Sequence, residues 1–454
     1  MSPYLIAPSD EQILNPTRQL ITWLSDGKYQ SRTFGDQDFF GINLRESKGK
    51  YNTSFVNVFS EEENLFLVNQ SMSQYQSAIE DIRRDWNIKS KKDPNKHVIV
   101  IIPGDRESDD NPYYFELKKV LVEEGIPSTF ITFETLRKLQ DPNIAFGPIL
   151  QSIWLNIYAK MGGKPWRLAN KLGNVHCFIG IGFGINPTAS ENHIFAGIAH
   201  LFDNYGSWID IASDSANLSK SDVDSFEGTE KFTQGSASYK ISQSVTQTIV
   251  NNALKLYQKK QTKTHENATN IILHKLGQIY ECEVIGFLEG IRQVLGSLGN
   301  CNLGLLQIEQ DHHIRLYGSY ADTRKENYTI YRGTSLQLNR TKLLLATTGR
   351  SYRQTARGLF TNYPGIGTPQ SLLLTSIEPS QQLLQKYGVN ANQFFDILEL
   401  SRHTMALTQL HWGSLKDNVR LPITALYAHK VADLISKTDA HINSWLGYYR
   451  PWFL

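Results

Sequence analysis

The sequence predicts an α/β fold built on parallel sheets, in two successive domains. Three observations predict it. The run HVIVII at 97–102 is the continuous β-branched stretch that a strand buried on both faces requires. A capped helical segment and a second apolar strand at 126–133 follow, so the region reads as a βαβ unit of a doubly wound domain. Beyond Trp166 come three strands, a helix, a strand, a helix, more strands and a terminal helix, the element order of an RNase H-like fold.

The elements are justified in turn. The first 95 residues carry weak signals: short strands at 4–6, 39–42 and 55–59, an amphipathic helix at 74–86, and a turn at Asp93-Pro94-Asn95. After the 97–102 strand, Asn111-Pro112 supplies an N-cap and a first-turn proline. Leu117, Val120, Leu121 and Glu124 continue that helix, and Gly125 closes it. An apolar helix at 149–161 ends at Gly162-Gly163. A strand follows at 175–185, then a hairpin of 193–201 with 207–212 around Asn204-Tyr205-Gly206. Helices are expected at 241–259, 283–298, 392–407 and 423–436, and strands at 270–274, 303–308, 329–331 and 343–347. The domain boundary falls within 163–174. This gives an N-terminal segment at 1–95 packed on a core at 96–168, then a second domain at 169–454.

Composition narrows the class. With 454 residues, 40% hydrophobic and 20% charged, the chain holds two or three domains with substantial cores. The formal net charge of +2 gives no basic excess, yet a basic groove can sit on a neutral protein. Lys89, Lys91, Lys92 and Lys96 form one basic run, read as a solvated loop. The three cysteines, Cys177, Cys282 and Cys301, include no CxxC, which excludes a cysteine-rich zinc site and a disulfide scaffold. MSPYLIAPSDEQ has no signal-peptide pattern and no apolar run reaches the ~20 residues of a membrane span, so a cytoplasmic, membrane-free protein is expected.

Seven segments carry a resemblance: YYFELKKVLVEEGIPSTF, NIYAKMGGKPW, FIGIGFGIN, IILHKLG, YRGTSLQL, LPITALYAHKVADL and the terminal RPWFL. Together, and in this order, they resemble the MID and PIWI domains of Argonautes across about residues 95–454. The chain is too short for the N-terminal and PAZ domains of long Argonautes, so it resembles a short prokaryotic Argonaute. The resemblance implies a Rossmann-like MID domain followed by an RNase H-like PIWI domain.

It also implies a pocket for a guide strand's 5′-phosphate. Tyr114 and Lys118 stand four apart on one helix face and match the family's Tyr–Lys pair. Lys160 matches the second phosphate lysine. Thr129 stands where the family often has glutamine after GIPS, with Ser128 beside it, and a hydroxyl can still donate. Asn156 and the terminal carboxylate of Leu454 match the ligands of a Mg2+ ion that also touches the phosphate.

The same resemblance implies a nuclease centre without its carboxylates. RNase H chemistry holds two metal ions on clustered aspartates. Gly182 and Leu276 occupy the aspartate positions, and His429 the last ligand position. One histidine cannot organise two metals, so an inactive centre is expected. Gly180, Gly182 and Gly184 alternate without a following phosphate-binding helix, which argues against a dinucleotide site. Asp311-His312-His313 reads as a surface turn.

The implied function is guide-directed recognition without cutting. The partners are a short guide RNA (or DNA), a complementary single-stranded DNA (or RNA) target, and an APAZ-containing effector bound as a heterodimer or higher assembly in prokaryotic immunity. That effector would carry a TIR, sirtuin-like or nuclease domain. Arg315, Arg420 and Lys430 are candidate contacts to the nucleic-acid backbone. The alternatives are a stand-alone homodimeric binder acting by occupancy, an active nuclease with a rearranged metal site, and a scaffold with a vestigial pocket.

Overall fold

The computed structural model describes residues 2–26, 28–31, 35–38, 58–60, 64–89, 96–104, 111–141, 143–144, 146–182, 198–213, 240–260, 268–318, 329–355, 358–362, 370–413 and 419–438. They fall into two compact units. One takes in Met1–Trp166, Trp412–Leu415 and Lys437–Leu454; the other takes in Arg167–His411 and Lys416–Ser436.

The first unit contains β1 (Ser2–Pro8), α1 (Glu11–Asp26), β2 (Lys28–Ser31), β3 (Gly35–Asp38), β4 (Leu65–Val68), α2 (Met72–Lys89), β5 (Lys96–Ile102), α3 (Pro112–Glu123), β6 (Ser128–Thr132), α4 (Phe133–Gln140) and α5 (Gly147–Lys160). Strands β4, β1, β5 and β6 form one parallel sheet in that order. Side chains alternate across it. Leu5, Ala7, Ile99, Ile101 and Ile131 face a core shared with α1, α4 and α5. Tyr4, Ile6, Val98, Val100 and Phe130 face the core of α2 and α3. Both faces are covered, which is the doubly wound arrangement.

Within residues 1–95, β1 and β4 are strands of the same sheet as β5 and β6. Strand β1 lies inside the sheet, between β4 and β5. Of the expected strand at 55–59 only 58 and 59 are described, within a 3-10 turn at Val58–Ser60, and 39–42 lie outside the described residues. Helix α1 was hidden by Pro16, which costs roughly 3 kcal/mol in a helix interior. Burying Leu14, Leu20, Ile21 and Leu24 outweighs it at roughly 1.5–3 kcal/mol each.

The second unit opens with a meander: β7 (Cys177–Gly182), β8 (Ile198–Asp203) and β9 (Trp208–Ser213). Then come α6 (Gln243–Lys260), β10 (Asn270–Leu276), α7 (Glu281–Leu295) and β11 (Asn302–Glu309). β12 (Ser335–Gln337), β13 (Lys342–Leu345), β14 (Ser351–Thr355), β15 (Gly358–Asn362) and β16 (Leu372–Ser376) follow. The unit closes with α8 (Gln381–Tyr387), α9 (Ile397–Leu407) and α10 (Ile423–Thr438). One eight-stranded sheet runs β12-β13-β16-β11-β10-β7-β8-β9, with β7, β10 and β11 parallel at its centre. Helices α6 and α7 bury Cys177, Ile179, Ile181, Ile271 and Leu273 on one face. This is the RNase H-like fold.

Some boundaries differ from expectation. The 392–407 helix is split, because Asp396 caps a new start by accepting the Glu399 N–H at 2.9 Å. At 329–331 there is only a bridge between Tyr331 and Arg350. All three cysteines are free, with Cys177 and Cys301 buried. No described helix is long and apolar enough to cross a membrane.

Candidate functional site

In the first unit, two lysines approach one residue from opposite faces of the sheet. Ser128 opens the edge strand β6. From α3, Lys118 Nζ donates to Ser128 Oγ at 3.1 Å and reaches the Ser128 carbonyl at 3.5 Å. From α5, Lys160 Nζ donates to the same carbonyl at 2.8 Å. Both lysines are buried, at 2% and 3% exposure. A lysine head is seldom taken that far from water, so two on one carbonyl set this strand end apart.

Three further residues complete the spot. Tyr114 packs edge-on against Phe130, with ring centroids 5.1 Å apart, and Lys118 Nζ lies 5.9 Å from the same ring. The neighbouring Tyr113 is differently placed: its hydroxyl donates to the Gln70 carbonyl and its ring packs on Tyr75. Thr129 points to the other face, as strand alternation requires, and its hydroxyl donates to Asn156 Oδ1 at 3.2 Å. Thr129 Oγ1 also lies 2.9 Å from Nε2 of the buried His97.

Tyr114, Lys118, Ser128, Thr129, Asn156 and Lys160 therefore gather at one end of one strand. Leu454 lies outside the described residues. Sequence reasoning missed His97 and Phe130. The signal for His97 was available, since a titratable residue heads the otherwise apolar run HVIVII.

In the second unit, Gly182, Leu276 and His429 also come together. The β7–β10 ladder pairs Lys275 with Ile181, so the next step along it sets Leu276 beside Gly182. Helix α10 lies directly on β7. A Cβ at Gly180 would meet the Thr424 carbonyl oxygen at 2.1 Å, and a Cβ at Gly182 would meet Ala428 C at 2.3 Å and His429 N at 2.8 Å. The spacing matches: two strand residues span ~6.6 Å and four helix residues ~6 Å. Gly180 and Gly182 are therefore a helix seat, and Gly184 lies outside the described residues. His274 fastens the seat, with Nδ1 2.7 Å from Thr424 Oγ1. The side chain of His429 is exposed.

Gly182→Ala forces backbone apart, because the atoms it meets are main-chain atoms of α10. The expected loss is about 1–3 kcal/mol, read as a lower urea midpoint. Unchanged stability would show that α10 tolerates a side chain there.

The candidate backbone contacts form two small groups. Arg420 donates to the Gln310 carbonyl, and Arg315 Nη1 donates to the His312 carbonyl at 2.7 Å. Burial holds the Arg420 guanidinium below its ordinary value; Asp311 opposes this and Arg315 adds to it, so the two arginines are electrostatic neighbours. Lys430 lies close enough to His411 to disfavour its protonation, after burial as the main cause.

A Piwi domain family model matches residues 97–439. Protein argonaute-3 of Drosophila melanogaster is 24% identical over 351 residues, which is 76% of this chain and 33% of that protein. Clostridium butyricum Argonaute bound to a guide DNA (5′ deoxycytidine) and a 19-mer target DNA superposes with a TM-score of 0.66 at 20% identity, over 97% of this chain and 48% of that one. A. aeolicus Argonaute superposes with a TM-score of 0.52 at 17% identity, over 96% and 47%. The chain spans between a third and a half of the length of these relatives.

Proposed function

Because this chain belongs to the Piwi-domain family, we propose that it is an Argonaute homologue that anchors a guide strand by its 5′-phosphate and recognises a complementary strand without cutting it. The observation that carries the proposal is the pair of buried ammonium groups on Ser128. Two ammonium groups converging on one strand end can both donate to an incoming anion, and such charge-assisted hydrogen bonds are the strong ones. A terminal phosphate carries nearly two charges at neutral pH where an internal phosphodiester carries one, so the end of a strand is favoured over its middle. Tyr114 offers a ring for the first base beside it.

Guide and target nucleic acid are the partners of the Clostridium butyricum relative, which supports the same partners here. Arg315, Arg420 and Lys430 would then meet backbone phosphates, so that shape is read by protein and sequence by base pairing. The seat of α10 supports the reading that the chain does not cut. Gly, Leu and His at 182, 276 and 429 bring no carboxylate, and 182 has no room for one. A binder that does not cut needs an output, and the proposal assigns that to an APAZ-containing effector acting with this chain in cytoplasmic immunity.

The Mg2+ expected beside the phosphate fits the described residues poorly. Asn156 Oδ1 is turned toward Thr129, which donates to it. A Mg2+ ion held there would supply positive charge to the phosphate.

The test is binding of one short RNA, and its DNA counterpart, carrying a 5′-phosphate or a 5′-hydroxyl, to wild type and to Lys118→Ala/Lys160→Ala. Charge-assisted contacts contribute roughly 1.5–3 kcal/mol each, so wild type should prefer the phosphate by more than about tenfold and the variant should lose that preference. Equal binding of both strands by wild type would sink the proposal.

A further inference from the structure

The lysine pair leaves His97 unexplained. His97 lies on β5, fully buried, on the face of the sheet that α5 covers. Its Nε2 is 2.9 Å from Thr129 Oγ1, and Thr129 Oγ1 donates to Asn156 Oδ1 at 3.2 Å. The three residues form one chain of hydrogen bonds from β5 through β6 to α5.

Such a chain has a direction. A threonine hydroxyl has one hydrogen and two lone pairs. With the hydrogen directed to Asn156 Oδ1, Thr129 accepts from His97, and His97 Nε2 then carries the proton. The opposite direction is also self-consistent. A bare Nε2 would take the Thr129 hydrogen, Thr129 would accept from the Asn156 NH2, and the amide oxygen would turn the other way. The imidazole thus decides which end of the Asn156 amide is held at Thr129 and which is left for a ligand.

Asn156 stands four residues before Lys160 on α5, so its amide and the Lys160 ammonium share a helix face. With Oδ1 held by Thr129, the NH2 is the end left for that face. An anion is stabilised by donors and repelled by a bare amide oxygen.

We infer that His97, acting through Thr129, is a positioning residue that presents Asn156 to the guide's 5′-phosphate as a hydrogen-bond donor and not as an oxygen ligand for Mg2+. The inference rests on the guide-phosphate reading. It makes phosphate recognition independent of divalent metal, carried by two ammonium groups and one amide N–H.

The test measures the ratio of 5′-phosphate to 5′-hydroxyl RNA affinity on the full chain, in EDTA and in Mg2+. The proteins are wild type, His97→Phe, His97→Gln and Asn156→Asp. Wild type should keep its ratio within about twofold in the two buffers. Asn156→Asp, which swaps the donor for a second acceptor, should lose about tenfold of the ratio in EDTA and regain it in Mg2+. His97→Phe removes the proton donor and should lower the ratio severalfold, with 5′-hydroxyl affinity unmoved. His97→Gln can still donate through its amide and should restore the ratio. A purely structural role for His97 would lower both affinities together and leave the ratio unchanged, which overturns the inference.

A wild-type ratio that collapses in EDTA would show that Asn156 holds a metal, again overturning it. This arm needs no variant, so it stands even if a substitution fails to fold. A wild-type ratio near one in both buffers would overturn the guide-phosphate reading itself. A metal-independent wild-type ratio that neither His97→Phe nor Asn156→Asp alters would leave the lysines alone in charge, and the assignment of His97 and Asn156 would fall.

Discussion

Replacing Glu283 with alanine is expected to destabilise the second unit by about 3–5 kcal/mol, the range for breaking one partner out of a buried ion pair. Lys275 Nζ donates to Glu283 Oε1 at 2.6 Å, and both side chains are nearly inaccessible. Burial pushes the Lys275 ammonium down and the Glu283 carboxyl up; the mutual attraction and hydrogen bonds oppose both shifts. Glu283 also accepts the Ile241 N–H and the Tyr280 N–H, both at 2.9 Å, so it caps the start of α7 and pins the segment before α6. Alanine would leave a buried ammonium with only its other partners, among them the Gln278 carbonyl at 2.6 Å, and two backbone donors unmet. Lys275→Met/Glu283→Gln should recover part of the loss. The glutamine oxygen can accept only one of the two backbone N–H groups, because its NH2 stands where the other accepting oxygen was. Urea unfolding of the three proteins reads this directly. A loss below about 1 kcal/mol for Glu283→Ala would show that the pair is not buried in solution, because exposed pairs contribute only that much.

Lys275 adjoins Leu276, and this bears on what was legible in advance. That position 276 is a leucine with no carboxylate could be read from IILHKLG, but the ion pair of its neighbour Lys275 could not. Lys275 and Glu283 meet only when β10 turns into α7. The same holds for the glycines of FIGIGFGIN. Their alternation is visible in the sequence, yet its meaning depends on Thr424 and Ala428 lying opposite, far along the chain. Runs with strong periodicity were legible almost to the residue, as HVIVII shows against the observed Lys96–Ile102. Elements that defy a local rule were not. Pro16 masks α1, and β12 is three residues long. At the candidate site, Lys118 and Lys160 were legible through the family resemblance. His97 stood out as a titratable residue heading an apolar run, but its role was not legible, because it exists only through the register that sets Ile99 beside Thr129.

Lowering the pH from 7 to 5.5 is expected to cost the second unit up to about 5 kcal/mol, through four histidines that the fold keeps neutral. Burial pushes His200, His274 and His411 down from 6.5 to about 3, and His403 to about 4. Phe178 sits between His274 and His403, with ring centroids 5.8 and 5.7 Å away. Tyr427 lies 6.5 Å from His200 and 5.8 Å from His411. The sign follows from which state holds the protons. Below pH 6.5 the unfolded chain takes up four that the folded unit refuses, so stability is full above that pH and falls as pH drops toward 3–4. Each group adds a limiting slope of about 1.4 kcal/mol per pH unit. Asp210, Glu283 and Glu399 pull the other way. Burial raises all three carboxyls, so the fold takes up their protons before the unfolded chain does, and the net slope is below the four-proton limit. His411→Phe should reduce the slope between pH 6 and 4.5 by about one proton, or about 1.4 kcal/mol per unit. His411 is the position of choice because its Nδ1 has no hydrogen-bond partner among the described residues. Urea midpoints measured across this range decide the matter. A flat profile for wild type would mean that these histidines protonate inside the fold, and that the seam between the sheet and α10 admits water.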